Sequence, residues 1–332
     1  MNSDRLVNSY IGHDSQLYRM EEHRLVGGKG DGMRLLEISN GRGLEMTVSL
    51  DRCADVSRLA YKGINMSYFS PCGYVSPSYY DDREDGWLKS FTAGYLTTCG
   101  LRAVGSPCTD AGERLPLHGT IANTPAEQAY WFEDREKKEL VVRAVMKDER
   151  IFAQKLRLTR EYGISLEENS FEIRDTVENT GDREEPLEIL YHMNMGYPLL
   201  DEESIVEIPS VSVTPRDDHA AEDLENWSRM IPPQAGYVER CYYHRFAGKD
   251  GRASIWQPKL SMGLEITFNA EELDGFVEWK MMGVRDYVLG LECGNCYPDG
   301  RDVMRKTGML KMLAPGEKKS YCVKIRLSDK KM

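Results

Sequence analysis

Three side chains in this sequence have the types and settings that suit acid and base chemistry. His192 ends the apolar run "LEILYH", Glu292 ends "VLGLE", and His118 lies directly before a glycine in "LPLHGT". An imidazole has an unperturbed pKa near neutral pH, and burial raises the pKa of a carboxyl towards the same range. His192 and Glu292 are therefore candidates for proton transfer, and His118 for ligand binding.

Each of these three residues also has a structural interpretation that local sequence leaves open. His192 could complete a buried hydrogen-bond network, His118 could bond a nearby loop carbonyl, and carboxylates such as Glu292 are common at strand ends. The remaining histidines are expected to be solvated or structural: His13, His23, His219 and His244.

Four further residues are candidates for holding a ligand. Arg52 interrupts two strand-like runs, and its fork of donors could fix ligand oxygens, although an ion pair with a flanking aspartate is the alternative. Asn194 shares a strand face with His192. Trp87 and Trp279 could each form a flat apolar wall, although most aromatic side chains are core residues.

The cysteines do not form a recognisable metal site. "CGNC" at 293–296 is a lone pair of thiols, without the two further ligands that structural zinc needs and without a thioredoxin-like setting. All eight cysteines are scattered through a long chain. We expect reduced thiols, no metal and no cofactor.

Composition and charge narrow the classes of partner. The chain has 332 residues and a formal net charge of -11, which argues against binding to nucleic acid or to an anionic membrane surface. Neither a signal peptide nor a long uncharged apolar segment is apparent. We therefore expect a cytoplasmic protein.

The elements that must position these residues are predicted to be strands. Residues 43–50, 55–70 and 139–192 carry strand signals with short turns between them, and Phe171, Ile173 and Val177 alternate with polar residues. Later strands are expected at 205–213, 238–246, 253–257, 262–268, 275–282, 286–292, 308–313 and 320–327. Helical periodicity is limited to a turn or two near 217–228.

Many short strands without alternating helices predict an all-β fold with antiparallel sheets, in a sandwich or a barrel. No Gly/Pro/Ser-rich linker divides the chain, so we expect a single domain over 1–332. The irregular stretch 69–119 fits the pattern least well and is expected to be a long loop that carries binding groups.

Three segments carry a resemblance to a known family. "NSFEIRDTVENTGDREEPLEILYHMNMGYPLL", "LHGTIANTPAEQAYW" and "VLGLECGNCYPDG" resemble, in order and separation, the segments of aldose 1-epimerases (galactose mutarotases) that bear the catalytic histidines and glutamate. More narrowly, "DRCADVSRLAYKGINMSYFSP" and "FTAGYLTTCGL" resemble the DUF4432 branch over roughly residues 30–327.

The resemblance implies a large antiparallel β-supersandwich with an open cleft and a sugar mutarotase activity. In that mechanism Glu292 takes the proton of the anomeric hydroxyl and His192 protonates the ring oxygen, so that the pyranose opens and recloses as the other anomer. His118 would bind near the ring oxygen, and Arg52 would hold hydroxyls. His192-Met193-Asn194 stands where the family has His-x-Tyr, which leaves the sugar open.

Two rival functions remain compatible with the sequence. One is a different epimerase or isomerase that acts on a keto sugar or sugar acid in the same cleft, with basic residues available at Arg52, Arg83, Arg102 and Arg285. The other is a non-catalytic carbohydrate-binding module. The expected partner in every case is a small carbohydrate, with no nucleic acid and no membrane. The sequence leaves homodimer formation open.

Overall fold

Strands dominate the protein, as the sequence predicts. The computed structural model describes residues 9–331, and in that range it has 22 strands, two short α-helices and several 3-10 turns. No helix within these residues is long and apolar enough to cross a membrane.

The strands and helices follow one another along the chain with short connections. The first half contains β1 Arg19–Arg24, β2 Arg34–Ser39, β3 Leu44–Ser49, β4 Asp55–Tyr61, β5 Ile64–Asn65, β6 Leu96–Leu101, β7 Cys108–Asp110, β8 Glu113–Leu115, β9 Gln128–Asp134, β10 Glu139–Glu149, β11 Lys155–Ser165 and β12 Ser170–Asn179. The second half contains β13 Glu185–Met195, β14 Ile205–Glu207, β15 Ser212–Pro215, α1 Asp218–Ala221, β16 Arg240–Arg245, β17 Asp250–Gln257, β18 Met262–Asn269, β19 Gly275–Met282, β20 Tyr287–Gly294, α2 Arg301–Lys306, β21 Lys311–Leu313 and β22 Lys318–Ser328.

These strands form three large antiparallel sheets and one small hairpin. The five-stranded sheet has the order β1-β2-β3-β4-β5, and the eight-stranded sheet has the order β14-β17-β18-β22-β12-β11-β10-β9. The seven-stranded sheet has the order β15-β16-β19-β20-β13-β21, with β6 also paired to β13. Strands β7 and β8 pair with each other. The all-β prediction is confirmed.

The core lies between the sheets because side chains on successive strand positions point to opposite faces. The predicted inward residues of β12, Phe171, Ile173 and Val177, are all buried in one apolar cluster. Strand β13 is buried along its whole length, so both of its faces are covered. A strand buried on both faces shows no polar alternation in its sequence.

A buried ion network joins the sheets at the centre of the molecule. The Arg160 guanidinium on β11 donates to Asp175 Oδ1 on β12 at 2.9 Å and to Asp55 Oδ1 on β4 at 2.5 Å. It also donates to Thr98 Oγ1 at 2.8 Å, and the Tyr191 hydroxyl donates to Asp175 Oδ2 at 3.0 Å. Since the Arg160 side chain is fully buried, this network fixes how β4, β6, β11, β12 and β13 meet.

Several sequence predictions about elements need correction. Strands β1 and β2 and the helix α2 were not predicted, and the predicted strand 205–213 is two strands, β14 and β15, in different sheets. The stretch 69–119 is not all loop, because β6 is buried at every position and pairs with β13. The expected helical turns near 217–228 are present as α1 and a 3-10 turn at Leu224–Asn226.

Candidate active site

The imidazole of His192 and the carboxylate of Glu292 lie side by side on neighbouring strands. Leu190 pairs with Gly294 and Asn194 with Gly290, so the register of β13 and β20 sets His192 across from Glu292. The distance between His192 Nδ1 and Glu292 Oε1 is 3.3 Å. Two residues that are 100 positions apart in sequence are therefore cross-strand neighbours on one face of the seven-stranded sheet.

Strand alternation explains why both side chains leave the main core. On β13, Tyr191 and Met193 point into the core between the sheets, and Leu291 does the same on β20. Their neighbours His192 and Glu292 consequently point to the opposite face, where a second, smaller apolar cluster lies. The sheet thus separates the main core from the face on which His192 and Glu292 lie.

His118 reaches the same place from the loop after β8. Its backbone has φ 56, and it is anchored because its N–H donates to Gly105 O and its carbonyl accepts from Gly100 N–H. The Gly105 N–H also donates to His118 Nδ1 at 3.3 Å. Since Nδ1 accepts this bond, the neutral ring carries its proton on Nε2 and is a hydrogen-bond donor there. The His118 and His192 ring centroids are 5.6 Å apart.

A glycine is required immediately after His118. Gly119 has φ 72, and a Cβ at that position would stand 2.3 Å from Gly100 O. Any side chain would therefore push the loop away from the end of β6. The glycine after His118 lets the loop backbone approach the backbone of β6 closely, and this approach brings the imidazole to the site.

These groups line a cavity of about 520 Å³, a volume within the usual range for small-molecule sites. The lining residues come from the connections before β6, between β6 and β7 and after β8, from strands β13, β16, β19 and β20, and from the segments after β15, before β16 and after β20. They are Trp87, Leu88, Phe91, Gly105, Ser106, Leu117, His118, His192, Arg216, Asp217, Glu239, Cys241, Val277, Trp279, Glu292, Pro298 and Asp299.

Aromatic rings form the walls around the two histidines. The ring centroid of His192 is 5.1 Å from that of Trp279 and 5.5 Å from that of Phe91. Trp87 stacks on Phe91 at 4.4 Å and contacts His118 at 4.7 Å. Such walls exclude water and offer apolar surface to the face of a ligand ring.

Burial shifts the pKa values of all three titratable groups. Loss of hydration lowers the pKa of His192 to about 4 and that of His118 to about 3, with the nearby His192 adding to the shift at His118. Loss of hydration also raises the pKa of Glu292 well above its ordinary value, and the negative charge of Glu239 adds to the increase. These shifts make the Glu292 carboxylate a stronger base and the protonated His192 a stronger acid.

Several buried polar atoms at the site have no hydrogen-bond partner among the described residues. They include His192 Nδ1, Glu292 Oε1 and Trp87 Nε1. Although His192 and Glu292 are close, their geometry is not aligned for a mutual hydrogen bond. Buried polar groups are ordinarily paired, so three unpaired ones around one cavity favour a ligand-binding role.

The structure does not bring two of the predicted ligand-holding residues into this cavity. Arg52 is buried elsewhere, and its guanidinium donates to the main-chain carbonyls of Ala122, Val75 and Ser90. Asn194 is fully buried, and its amide donates to Gly94 O and to His192 O. Arg52 therefore holds loops together, and Asn194 supports the strand that carries His192.

Several charged or polar residues at the cavity were not predicted as part of it. Arg216 Nη2 donates to Glu239 Oε1 at 3.1 Å, and Trp279 Nε1 donates to Glu239 Oε2 at 2.7 Å. Asp299, which also lines the cavity, accepts a hydrogen bond from the Tyr243 hydroxyl at 2.5 Å. Only Asp299 had a signal in the sequence, since it lies in the "YPDG" that follows the Glu292 strand.

The remaining basic and histidine candidates lie outside the cavity. Arg83 pairs with Asp81 and Arg102 with Glu113, while Arg285 is exposed. His244 is buried beside Glu278, with 3.5 Å between its Nε2 and Glu278 Oε2. His13 and His23 are exposed, and His219 is partly so. Within residues 9–331, no group of three or more His, Cys, Asp or Glu side chains could hold a metal ion.

Comparison with known proteins identifies the family. The model of the DUF4432 family, described as a domain of unknown function, matches residues 30–327. The chain belongs to the DUF4432 family. A comparison with curated proteins returns no match. The family assignment agrees with the resemblance expected from the sequence.

Solved structures show the same fold. A candidate aldose 1-epimerase from Klebsiella pneumoniae has 26% identity to this DUF4432 protein and a TM-score of 0.88, covering 95% of this chain and 86% of that chain. A galactose mutarotase-like protein from Clostridium acetobutylicum has 14% identity and a TM-score of 0.65, covering 94% and 99%. Galactose 1-epimerase from Lactobacillus acidophilus has 13% identity and a TM-score of 0.64, with the same coverages. The protein therefore has the galactose mutarotase-like fold.

Proposed function

We propose that the protein is a sugar mutarotase that interconverts the α and β anomers of an aldose. The observation that carries the proposal is the 3.3 Å approach of His192 Nδ1 to Glu292 Oε1 in a cavity of ligand size. A binding module needs no acid and base in contact, whereas ring opening needs one of each held near one acetal carbon. The similarity to a candidate aldose 1-epimerase supports the same activity class.

The proposed reaction moves two protons and needs no other reactant. The reaction starts from the form of the pair in which His192 carries the proton and Glu292 is ionised, a minor form because burial favours neutral His192 and protonated Glu292. In that form the Glu292 carboxylate accepts the proton of the anomeric hydroxyl, the bond between C1 and the ring oxygen breaks, and protonated His192 gives its proton to that oxygen. The product is the open-chain aldehyde, with the carboxyl of Glu292 protonated and His192 neutral. Rotation about the C1–C2 bond and reversal of the same transfers then produce the other anomer.

Each further group has a role in this scheme. His118 donates from Nε2 to an oxygen of the sugar, since its Nδ1 is occupied by the Gly105 N–H. The rings of Trp87, Phe91 and Trp279 contact the apolar face of the sugar and keep the acid and base dry. Arg216 and Glu239 take the place of Arg52 as the groups that contact hydroxyls away from C1.

Polarimetry on freshly dissolved α-anomers tests the proposal directly. With α-D-galactose or α-D-glucose, the protein should accelerate the approach to anomeric equilibrium in proportion to its concentration, above the spontaneous rate. A panel of neutral aldoses and sugar acids in which none equilibrates faster with protein than without it would contradict the proposed function.

A further inference from the structure

The guanidinium of Arg216 lies in the cavity wall next to Trp279, and neighbouring carboxylates neutralise its positive charge. Arg216 Nη2 donates to Glu239 Oε1 at 3.1 Å, and Arg216 Nε donates to Asp217 Oδ2 at 3.3 Å. No other lysine or arginine is among the residues that line the cavity. The one arginine or lysine among these lining residues is therefore engaged by two carboxylates.

Glu239 is held in place from both sides. Its Oε1 accepts from Arg216, and its Oε2 accepts from Trp279 Nε1 at 2.7 Å. The Trp279 ring in turn contacts the His192 ring, with 5.1 Å between centroids. The negative charge of Glu239 is thus fixed one aromatic ring away from the candidate acid.

Negative charge dominates the remainder of the cavity. Asp217 and Asp299 line it together with Glu239, and the Asp299 carboxylate is fixed by the Tyr243 hydroxyl. Like charges held a few ångströms apart in a partly desolvated site repel strongly. An anionic ligand would meet three carboxylates, besides Glu292, and no unpaired guanidinium.

We propose that Glu239 is the specificity-determining residue of the site, and that by holding Arg216 it restricts the substrate to sugars without an anionic group. This inference rests on the proposed function for its kinetic form and deepens it by naming the substrate class. Sugar acids, which the sequence left open as substrates, are disfavoured by this charge arrangement. Releasing Arg216 from Glu239 should weaken the discrimination against them.

Matched sugar pairs measure the discrimination. D-glucose and D-glucuronate, and D-galactose and D-galacturonate, differ only at C6, and their enzyme-catalysed anomer exchange can be followed by NMR after subtraction of the spontaneous rate. For the wild-type protein, kcat/KM should be at least about tenfold higher for the neutral member of the pair that is turned over. Added salt should narrow the ratio, since it screens the carboxylates.

The variant Glu239→Gln tests the assigned residue. Glutamine keeps an oxygen that accepts from Trp279 Nε1, but it removes the negative charge and releases Arg216 from one of its two carboxylates. The ratio of kcat/KM for the sugar acid to that for the neutral sugar should rise at least about tenfold, and Asp217→Asn should raise it less. Glu207→Gln removes an exposed carboxylate on β14 and should leave the ratio unchanged.

Two sets of results separate failure of the inference from failure of the proposed function. Equal turnover of acid and neutral sugar by the wild type, or an unchanged ratio in Glu239→Gln, overturns the charge assignment while mutarotation stands. If none of the four sugars is turned over, mutarotation is overturned, and calorimetric binding of the same sugars decides the assignment. Tighter binding of the uronate by Glu239→Gln than by wild type supports the assignment, and equal or weaker binding overturns it.

Discussion

The carboxylate of Glu292 lies over the α-carbon of Gly290, two residues earlier on the same face of β20. A Cβ built at Gly290 would stand 2.2 Å from Glu292 Oε1 and 3.0 Å from Trp279 Cβ. The absence of a side chain at Gly290 thus leaves room for the carboxylate of the candidate base beside His192. A substitution at this glycine should displace the Glu292 carboxylate while the fold is retained.

Gly290→Ala is expected to reduce kcat by at least about tenfold, because a displaced carboxylate is poorly placed for proton transfer. The spectrum of the folded protein by circular dichroism should be unchanged. Gly12→Ala is the matched control, since a Cβ at Gly12 meets nothing closer than 3.8 Å. Wild-type kcat in Gly290→Ala would show that the position of the Glu292 carboxylate does not matter.

His118→Asn tests the role of the imidazole separately from the role of the loop that carries it. Asparagine tolerates the positive φ of 56 at this position better than most residues, so the backbone should keep its course. Loss of the Nε2–H donor is expected to lower kcat/KM for mutarotation by about 10²-fold, a typical effect of removing one oriented donor. A decrease below about threefold, measured by anomer exchange, would assign His118 to loop structure alone.

Two imidazoles whose pKa values are lowered in the folded protein, His192 and His118, contribute stability that is lost on the acid side. Their folded-state pKa values, about 4 for His192 and about 3 for His118, lie below the ordinary 6.5. Between about pH 6.5 and pH 4 these two groups bind more protons in the unfolded chain than in the folded protein, so their contribution to the free energy of unfolding decreases as pH falls. The raised pKa of Glu292 contributes with the opposite sign.

Urea denaturation across this pH range measures that decrease. His192→Gln should lower the slope of the unfolding free energy against pH in this range, because one depressed imidazole has been removed. His23→Gln replaces an exposed imidazole and is the control. An equally steep dependence in His192→Gln and wild type would mean that His192 is not buried in its neutral form.

Arg160→Met should destabilise the fold by about 3–5 kcal/mol, the usual cost of leaving buried charges without a partner. Asp55 and Asp175 would keep their buried carboxylates and lose the guanidinium between them. Arg157→Met, on the same strand, removes a partly exposed pair with Glu178 and should cost less than about 1 kcal/mol. Similar denaturation midpoints for the two variants would contradict the structural role of Arg160.

The sequence predicted the strands whose faces differ in polarity. Strand β12 alternates because one face is in the core and the other reaches solvent, so Phe171, Ile173 and Val177 could be assigned directly. Strand β6 is buried on both faces and contains Thr97, Thr98 and Cys99, so neither alternation nor an apolar run marks it. That difference explains why the stretch 69–119 was predicted as loop.

Some residues of the candidate site were predicted correctly from the sequence and others were not. His192 and Glu292 were found because each ends an apolar run and because a family pattern links them, whereas their contact depends on sheet register. Arg52 was predicted to hold ligand oxygens, with an ion pair to a flanking aspartate as the alternative, and neither is found in the fold. In the fold Asp51 bonds Arg34 and Asp55 bonds Arg160, and the Arg52 side chain turns to main-chain carbonyls.

Arg216 and Glu239 could not be predicted from local sequence. They lie in separate charged segments, after β15 and before β16, and meet only because those two strands are neighbours at the edge of one sheet. Charged residues in such connections are usually solvated, and nothing in the residues themselves distinguishes a cavity wall from a surface. Tertiary contacts alone bring this pair to Trp279.

The most direct test of the account compares anomer exchange in wild-type protein and Glu292→Gln. Magnetisation-exchange NMR on an equilibrated aldose measures the interconversion rate without any coupled reaction. Wild type should exchange the anomers faster than the spontaneous rate, and Glu292→Gln should lower that enhancement by at least about 10²-fold while unfolding at a similar urea concentration. Exchange in Glu292→Gln as fast as in wild type would contradict the assignment of Glu292 as the base and, with it, the proposed mechanism.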